Sequence, residues 1–243
     1  MTPTATPPAK DEFRSLDPAK IHQTIEFRLA RIREAFPGSG LSRVCEQLAA
    51  VSARAAAEAD WLRRPIVGLR VGVGVVVLLV VAGIVSFVTT FQMPTNAIDV
   101  AELIQVIEAG LNDIVLFGIA GFFLFTLETR IKRRRALRGL HELRALAHVI
   151  DMHQLSKDPH FVGVPTEVSG GSVTTRSPEE LALYLDFCTD MLSLLGKVAV
   201  LYVQDFDDPV TLASVTEIET VSAGLSRKIW QKLIVLSRGS PAV

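Results

Sequence analysis

The longest apolar run of the chain extends from Val71 to Phe91 and contains no charged residue. A helix needs about 20 such residues to cross the hydrocarbon core of a membrane. A second run, from Ile114 to Leu127, is shorter, but its flanking residues extend it to residues 111–131. We therefore predict a transmembrane hairpin over residues 65–131, with spans at 71–91 and 111–131 and an outer connector over 92–110.

The charges beside these two runs favour one orientation of the hairpin. Arg63, Arg64 and Arg70 precede the first span, whereas the connector carries acidic residues and no Lys or Arg. A dense basic cluster follows the second span. Because segments rich in Lys and Arg stay on the cytoplasmic side, we predict that the N and C termini are both cytoplasmic.

A third apolar segment, from Leu181 to Val203, is interpreted as a buried helix of a cytoplasmic bundle. It contains Asp186, Asp190 and Lys197, and a charge at the centre of a membrane is costly. A crossing here would also carry the basic C-terminal region to the outer side. We therefore expect this segment to pack against other helices.

The N-terminal region predicts a cytoplasmic helical hairpin over residues 17–64. Residues 1–16 are rich in Pro, Thr and Ala, which favours disorder. Asp17 followed by Pro18 is typical of a helix start, and Pro37-Gly38 is typical of a helix end. Apolar residues at helical spacing predict the buried faces of both helices. They are Ile21, Ile25, Leu29, Ile32, Phe36, Leu41, Val44, Leu48 and Val51.

The second span is the middle of a longer predicted helix. Helical spacing continues from Val100 until Pro159, which cannot be accommodated inside a helix. A break at Gly110 or Asn112, near the outer surface, is the alternative to one continuous helix. The part after the membrane, residues 132–158, is predicted to project into the cytoplasm as a stalk.

Two elements follow the stalk. Residues 159–176 contain a Gly-Gly pair and predict a loop. Residues 177–243 predict a second cytoplasmic helical hairpin, because Ser177-Pro178-Glu179-Glu180 and Asp208-Pro209 are both typical helix starts. The chain is therefore predicted to be an all-α membrane protein with a transmembrane helical hairpin and a cytoplasmic helical bundle.

The apolar surface of the C-terminal hairpin predicts self-association. The helix that begins at Ser177 is apolar on most of its circumference, and a single partner helix cannot cover that surface. The last helix carries a loose seven-residue series at Val215, Ile218, Leu225 and Ile229, which is typical of packed helices. We expect a homo-oligomer, which a cytoplasmic protein could join as a further partner.

Composition argues against several classes of function. The net charge of −1 gives no bulk attraction to nucleic acid, and aromatic platforms for bases are missing. The only cysteines, Cys45 and Cys188, are far apart in the predicted cytoplasmic part, so we expect no disulfide and no zinc site. Phosphate-binding loops and nucleophile motifs are also missing. We predict no enzymatic activity and no cofactor.

Two stretches carry a resemblance. His148–Pro159 reads HVIDMHQLSKDP, and Gly224–Lys232 reads GLSRKIWQK. Both resemble uncharacterised bacterial two-span helical inner-membrane proteins, and the resemblance extends from about the second span to the last helix. It implies a bacterial inner (plasma) membrane location, and it implies no activity and no site.

His141, His148 and Asp151 are the best candidates for metal ligands. Their spacings of seven and three place them on one helical face, at about 100° per residue. Arg144 shares that face and would repel a cation, and further ligands would have to come from elsewhere. The alternative is a polar stripe in which Asp151 pairs with His148 or Arg144.

Four polar residues mark the ends of the spans. Asn112 and Asp113 lie near the outer edge, where they are either solvated or at the mouth of a pore. Glu128 lies at the opposite face, level with Arg70 of the first span. A salt bridge that fixes the register of the two helices is the main interpretation of this second pair, and a gate is the alternative.

The basic cluster after the second span sets the topology and also predicts attraction to anionic lipid, worth about 1 kcal/mol per basic residue near the surface. The lipid bilayer is therefore an expected partner, and nucleic acid is not. The cluster consists of Arg130, Lys132, Arg133, Arg134, Arg135 and Arg138.

These observations predict a membrane-anchored homo-oligomer that assembles or recruits partners through its cytoplasmic bundle. The alternative is a small-ion channel or transport subunit, whose pore would be formed by the oligomerised transmembrane hairpins and lined by Asn112, Asp113 and Glu128. A weaker third hypothesis is a metal sensor that uses the two histidines and Asp151.

Overall fold

The computed structural model describes residues 15–90, 100–155, 157, 166–168, 172–174 and 177–239. The predicted disorder of the N-terminus up to residue 14, and the predicted connector up to residue 99, lie outside the described residues. The elements are α1 (Pro18–Ala35), α2 (Gly40–Arg63), α3 (Val67–Thr90), α4 (Val100–Leu155), β1 (Thr166–Val168), β2 (Ser172–Thr174), α5 (Pro178–Val200) and α6 (Pro209–Gly239).

The chain divides into two compact units. The first, called here the bundle, contains the described residues up to Arg63 and from Arg135 onward. The second, called here the apolar unit, contains residues 64–134. Helix α4 belongs to both, because it runs without interruption for 56 residues. It therefore has no break at Gly110 or Asn112.

The helix starts predicted from local sequence are confirmed. The Asp17 carboxylate accepts a hydrogen bond from the Ala19 amide at 2.9 Å, which caps α1. Ser177 and Glu180 cap α5 reciprocally, each side chain accepting from the other's backbone amide. Asp208 accepts from the amide and the hydroxyl of Thr211 at the start of α6.

Gly38 separates α1 from α2, as predicted. Its φ of 67° lies in the left-handed region, where a side chain would be strained. The predicted apolar faces of α1 and α2 are buried, with Ile25, Ile32 and Leu41 fully inaccessible. Phe36, beside the turn, packs edge-on against Tyr184 of α5, with ring centroids 5.5 Å apart.

The predicted stalk is largely part of the bundle. Ala136, Leu140, Leu143 and Ile150 of α4 are fully buried in the same core as α1, α2, α5 and α6. Their spacing of three, four and seven residues places them along one side of the helix. From Arg135 onward α4 is therefore a packed helix of the bundle and does not project from it.

The segment predicted as a loop contains a short hairpin. β1 and β2 pair antiparallel, with Thr166 opposite Thr174 and Val168 opposite Ser172. Each strand has only three residues, and the other regular elements of the described residues are all helices.

Candidate functional site

Two helices, α3 and α4, are long and apolar enough to cross a membrane. In each, the most apolar stretch contains no buried residue among those described. Helix α5 is also apolar, but it differs because its apolar residues are buried in the bundle core. Its Asp190 pairs with Arg28 of α1 at 3.2 Å. The interpretation of α5 as a buried helix is confirmed, and most of the large exposed apolar side chains lie on the two predicted spans.

Glu128 is the best-connected polar group of the apolar unit. Its carboxylate accepts from Arg70 Nε at 2.8 Å and lies 3.0 Å from Lys132 Nζ. The Ile66 amide donates to it at 3.4 Å. The predicted salt bridge between Glu128 and Arg70 is therefore present, and it joins the start of α3 to α4. A carboxylate engaged in this way is poorly suited to line a pore.

The predicted pore residues at the other end are less well placed. Asn112 is exposed on α4. The side chain of Asp113 lies outside the described part of the structure. Of the three groups named for a channel, only Asn112 is described with an accessible side chain.

The six residues of the basic cluster do not share one environment. Lys132 is buried beside Glu128, and Arg130 lies over the Phe123 ring at 5.4 Å. Arg135 pairs with Glu58 and stacks on Trp61 at 4.3 Å. The remaining members are Arg133, Arg134 and Arg138. Lys132 and Arg135 thus have protein partners, and Arg133, Arg134 and Arg138 also interact with other groups, which reduces the part of the cluster that is available to lipid.

The metal candidates are not assembled into a site. His141 and His148 are exposed, and Asp151 accepts a hydrogen bond from Gln154 at 2.6 Å. Arg144 pairs with Glu217 of α6 rather than with Asp151. Within the described ranges, no group of three His, Cys, Asp or Glu residues could hold a metal ion.

A cleft of about 390 Å³ lies in the bundle between α2, α4 and the turn after α5. Arg54 of α2 pairs with Glu142 of α4 at 2.6 Å, and Arg135 pairs with Glu58. Both ion pairs cross the cleft. This feature was not predicted from the sequence, because its residues come from segments more than fifty positions apart.

Tyr202 forms the floor of this cleft. Its side chain is 2 % exposed, and no described residue makes a hydrogen bond with its hydroxyl. Burial, reinforced by Glu58 and Glu142, raises the pKa of Tyr202 to about 12, so the hydroxyl is neutral near pH 7. Gly139 is required beside it, because a Cβ there would overlap the tyrosine ring and oxygen.

A second concave surface, called here the α5–α6 groove, has a volume of about 440 Å³. Small residues shape it, and a Cβ on Gly196 would meet no atom within 4 Å. Ser222 is 6 % exposed, and its hydroxyl has no hydrogen-bond partner among the described residues. Lys197 and Glu219 add one charge of each sign to the lining.

Large apolar side chains lie on the groove face of α6. Leu212 is 50 % exposed and Trp230 is 63 % exposed. Their separation of 18 residues corresponds to about five helical turns, so both point to the same side of α6 as Ala223 in the groove wall.

The two stretches that carried the resemblance meet in the bundle. Lys232 of α6 donates to the main-chain oxygens of Gln154 at 2.7 Å and Lys157 at 3.2 Å. These carbonyls lie at the C-terminal end of α4, where a cation is favourable. This contact gives residues of both stretches a structural role, and it does not indicate a ligand-binding site.

No protein family matches the chain, and no curated protein or solved structure shows significant similarity to it.

Proposed function

We propose that the protein is a membrane-anchored homo-oligomer, whose bundle assembles through the α5–α6 groove and recruits partners without catalysis. The observation that carries the proposal is the groove of small residues beside the exposed Trp230 and Leu212. These two exposed side chains lie about 27 Å apart along α6, one toward each end of the groove face, and a second copy docked on that face would cover both. The anchor in this proposal is the pair of helices α3 and α4.

The membrane part rests on the contrast between burial and hydropathy. The most apolar stretches of α3 and α4 have no protein partner that covers them within the described residues, and lipid is the environment that would satisfy them. The basic residues beside both spans, and the acidic connector, favour cytoplasmic termini in a bacterial inner membrane.

The occupant of the groove in this proposal is a second copy of the chain. A two-fold interface uses the same patch on both subunits, so that patch must carry both the projection and the recess that receives it. Trp230 supplies the projection, and Gly196 lies in the recess. Lys197 of one copy would face Glu219 of the other, which matches opposite charges across the two-fold axis.

The test is Gly196→Leu, compared with Gly224→Leu as a matched control. Both glycines are helical, and a Cβ at either position would meet no atom within 4 Å, so both substitutions begin from open space. Gly224 is about 120° around α6 from Leu212 and does not line the groove. Light scattering of chromatographed protein in mild detergent measures the subunit number, and circular dichroism checks the fold.

We expect the unmodified chain to give one defined oligomer, Gly196→Leu to dissociate it, and Gly224→Leu to leave it intact. Replacing a helical glycine with leucine should not weaken the fold, since leucine favours a helix by about 0.8 kcal/mol over glycine. A monodisperse monomer of the unmodified chain, or an unchanged oligomer with Gly196→Leu, would contradict the proposal.

An ion channel or transport subunit is the second candidate, and the observation in its favour is the exposed Asn112 within an unburied apolar helix. The test is conductance of the reconstituted protein in planar bilayers, compared with Asp113→Ala. A current that depends on Asp113 would support a pore, and no current at any voltage or with any ion would remove this candidate.

A further inference from the structure

We propose that the cleft between Arg54, Arg135, Arg138 and Tyr202 binds a phosphate group. The proposal concerns the bundle alone and does not depend on oligomerisation. It rests on three features of the described residues: the identity of the cations, the unpaired hydroxyl of the buried Tyr202 and the size of the cleft.

The cations of the cleft are all arginines. The guanidinium group presents a planar fork of donors that matches two oxygens of a phosphate, which a lysine ammonium group does not. Three arginines and two glutamates line the cleft, so its lining carries one excess positive charge. Two arginines are already oriented by their ion pairs, Arg54 by Glu142 and Arg135 by Glu58. A preoriented donor loses less conformational entropy when a ligand binds.

The hydroxyl of Tyr202 is the observation that points to a ligand. Tyr202 is 2 % exposed, and no described residue makes a hydrogen bond with its hydroxyl, whose oxygen is not fully enclosed, so water or a ligand in the cleft completes its hydrogen bonding. The residue lines the cleft, so an acceptor atom in the cleft can receive a hydrogen bond from the hydroxyl. A neutral hydroxyl donates to a phosphate oxygen without adding charge, which makes it a specificity-determining group beside the arginines.

Gly139 keeps this hydroxyl accessible. Any side chain at that position would overlap Tyr202 and displace it from the floor. The volume of about 390 Å³ lies at the lower end of the range for small-molecule sites, about 300–1,000 Å³. The cleft is therefore large enough for a phosphate with a small attached group.

The phosphate could belong to a soluble molecule or to the headgroup of an anionic lipid. Two arms of one experiment separate these sources. In the first arm, inorganic pyrophosphate is titrated calorimetrically into the full chain in neutral detergent, at constant ionic strength set with chloride. In the second arm, the titration is repeated with the chain in nanodiscs of phosphatidylcholine, with or without phosphatidylglycerol.

Three variants make the test specific. Tyr202→Phe removes only the hydroxyl, Arg138→Gln removes one cation of the cleft, and Arg31→Gln removes an exposed cation of α1 that does not line it. Because the Tyr202 hydroxyl has no hydrogen-bond partner within the described part of the chain, Tyr202→Phe should leave the thermal midpoint of the ligand-free protein unchanged or higher. The same variant should weaken pyrophosphate binding about tenfold or more.

We expect saturable binding that Tyr202→Phe and Arg138→Gln weaken and Arg31→Gln does not. If phosphatidylglycerol abolishes pyrophosphate binding to the unmodified chain, the headgroup is the occupant; if it does not, the ligand is soluble. Either result supports the site. The site is overturned if pyrophosphate does not bind in detergent, if Tyr202→Phe binds it equally well, or if Arg31→Gln weakens it as much as Arg138→Gln.

Discussion

Arg70 and Lys132 share the carboxylate of Glu128, at 2.8 Å from Nε and 3.0 Å from Nζ, but only one of them is removed from water. Lys132 is 7 % exposed, whereas the Arg70 side chain is 63 % exposed. An exposed ion pair contributes little to stability, because water competes for both partners. A buried cation depends on its counter-ion much more strongly. This difference predicts unequal effects for substitutions on the two sides of Glu128.

Glu128→Gln is expected to destabilise the protein by about 3 kcal/mol, because it leaves the buried Lys132 without its counter-ion. Arg70→Gln should have a smaller effect, since Glu128 keeps its bond to Lys132. Unfolding in mixed detergent micelles, followed by circular dichroism, measures both. The control is Glu128→Gln combined with Lys132→Met, which should recover most of the loss. Equal losses for the two single variants would show that Lys132 does not depend on Glu128.

Lys232→Met is expected to destabilise the bundle by about 1–2 kcal/mol, because it removes a cation that donates to carbonyls at the end of α4. Hydrogen exchange of amides in residues 150–157 should increase. Lys228→Met, at an exposed position one turn earlier on α6, is the control and should change neither stability nor exchange. If both variants behave alike, the contact with α4 has no energetic role.

Stability is expected to fall above pH 9, and the two cysteines should account for much of the decline. Burial raises the pKa of Cys45 and of Cys188 from 9.0 to about 12. Between these values the unfolded thiols lose protons that the folded thiols keep, so the unfolded state is favoured as pH rises. Well below pH 9 the contribution is present in full, and at pH 10 the loss is about 1.4 kcal/mol per cysteine.

Urea or detergent unfolding at pH 7 to 10.5 checks this dependence, and the combined Cys45→Ala and Cys188→Ala variant should give a flatter profile. Tyr202, whose pKa is also raised by burial, should leave a residual slope. The same burial keeps both thiols unreactive toward maleimide at pH 7 while the chain is folded. Rapid labelling of either cysteine in the folded protein would contradict the burial on which the profile depends.

The local features of the fold could be predicted from sequence because their causes are local. Asp17 before Pro18, and Ser177 before Pro178, act within one helical turn, so the residues that cap the helix are also adjacent in the chain. The pairing of Arg70 with Glu128 could also be predicted, because an antiparallel pair of spans fixes which residues are level. In each case a short-range rule determines the partner.

The features that were missed depend on tertiary packing. Leu140, Leu143 and Ile150 have the spacing of a buried face, but the continuation of one long helix beyond the second span predicted a projecting stalk. The cleft around Tyr202 combines three distant segments, and a lone tyrosine in an apolar sequence gives no sign of an unpartnered hydroxyl.

The central claim, that α3 and α4 cross the membrane with both termini in the cytoplasm, is tested most directly by cysteine labelling in intact bacterial cells. Ile98→Cys and Gly170→Cys are each treated with a membrane-impermeant maleimide, the native cysteines being buried. We predict that residue 98 is labelled in intact cells and that residue 170 is labelled only after the inner membrane is permeabilised. Labelling of residue 170 from outside, with residue 98 protected, would contradict the topology.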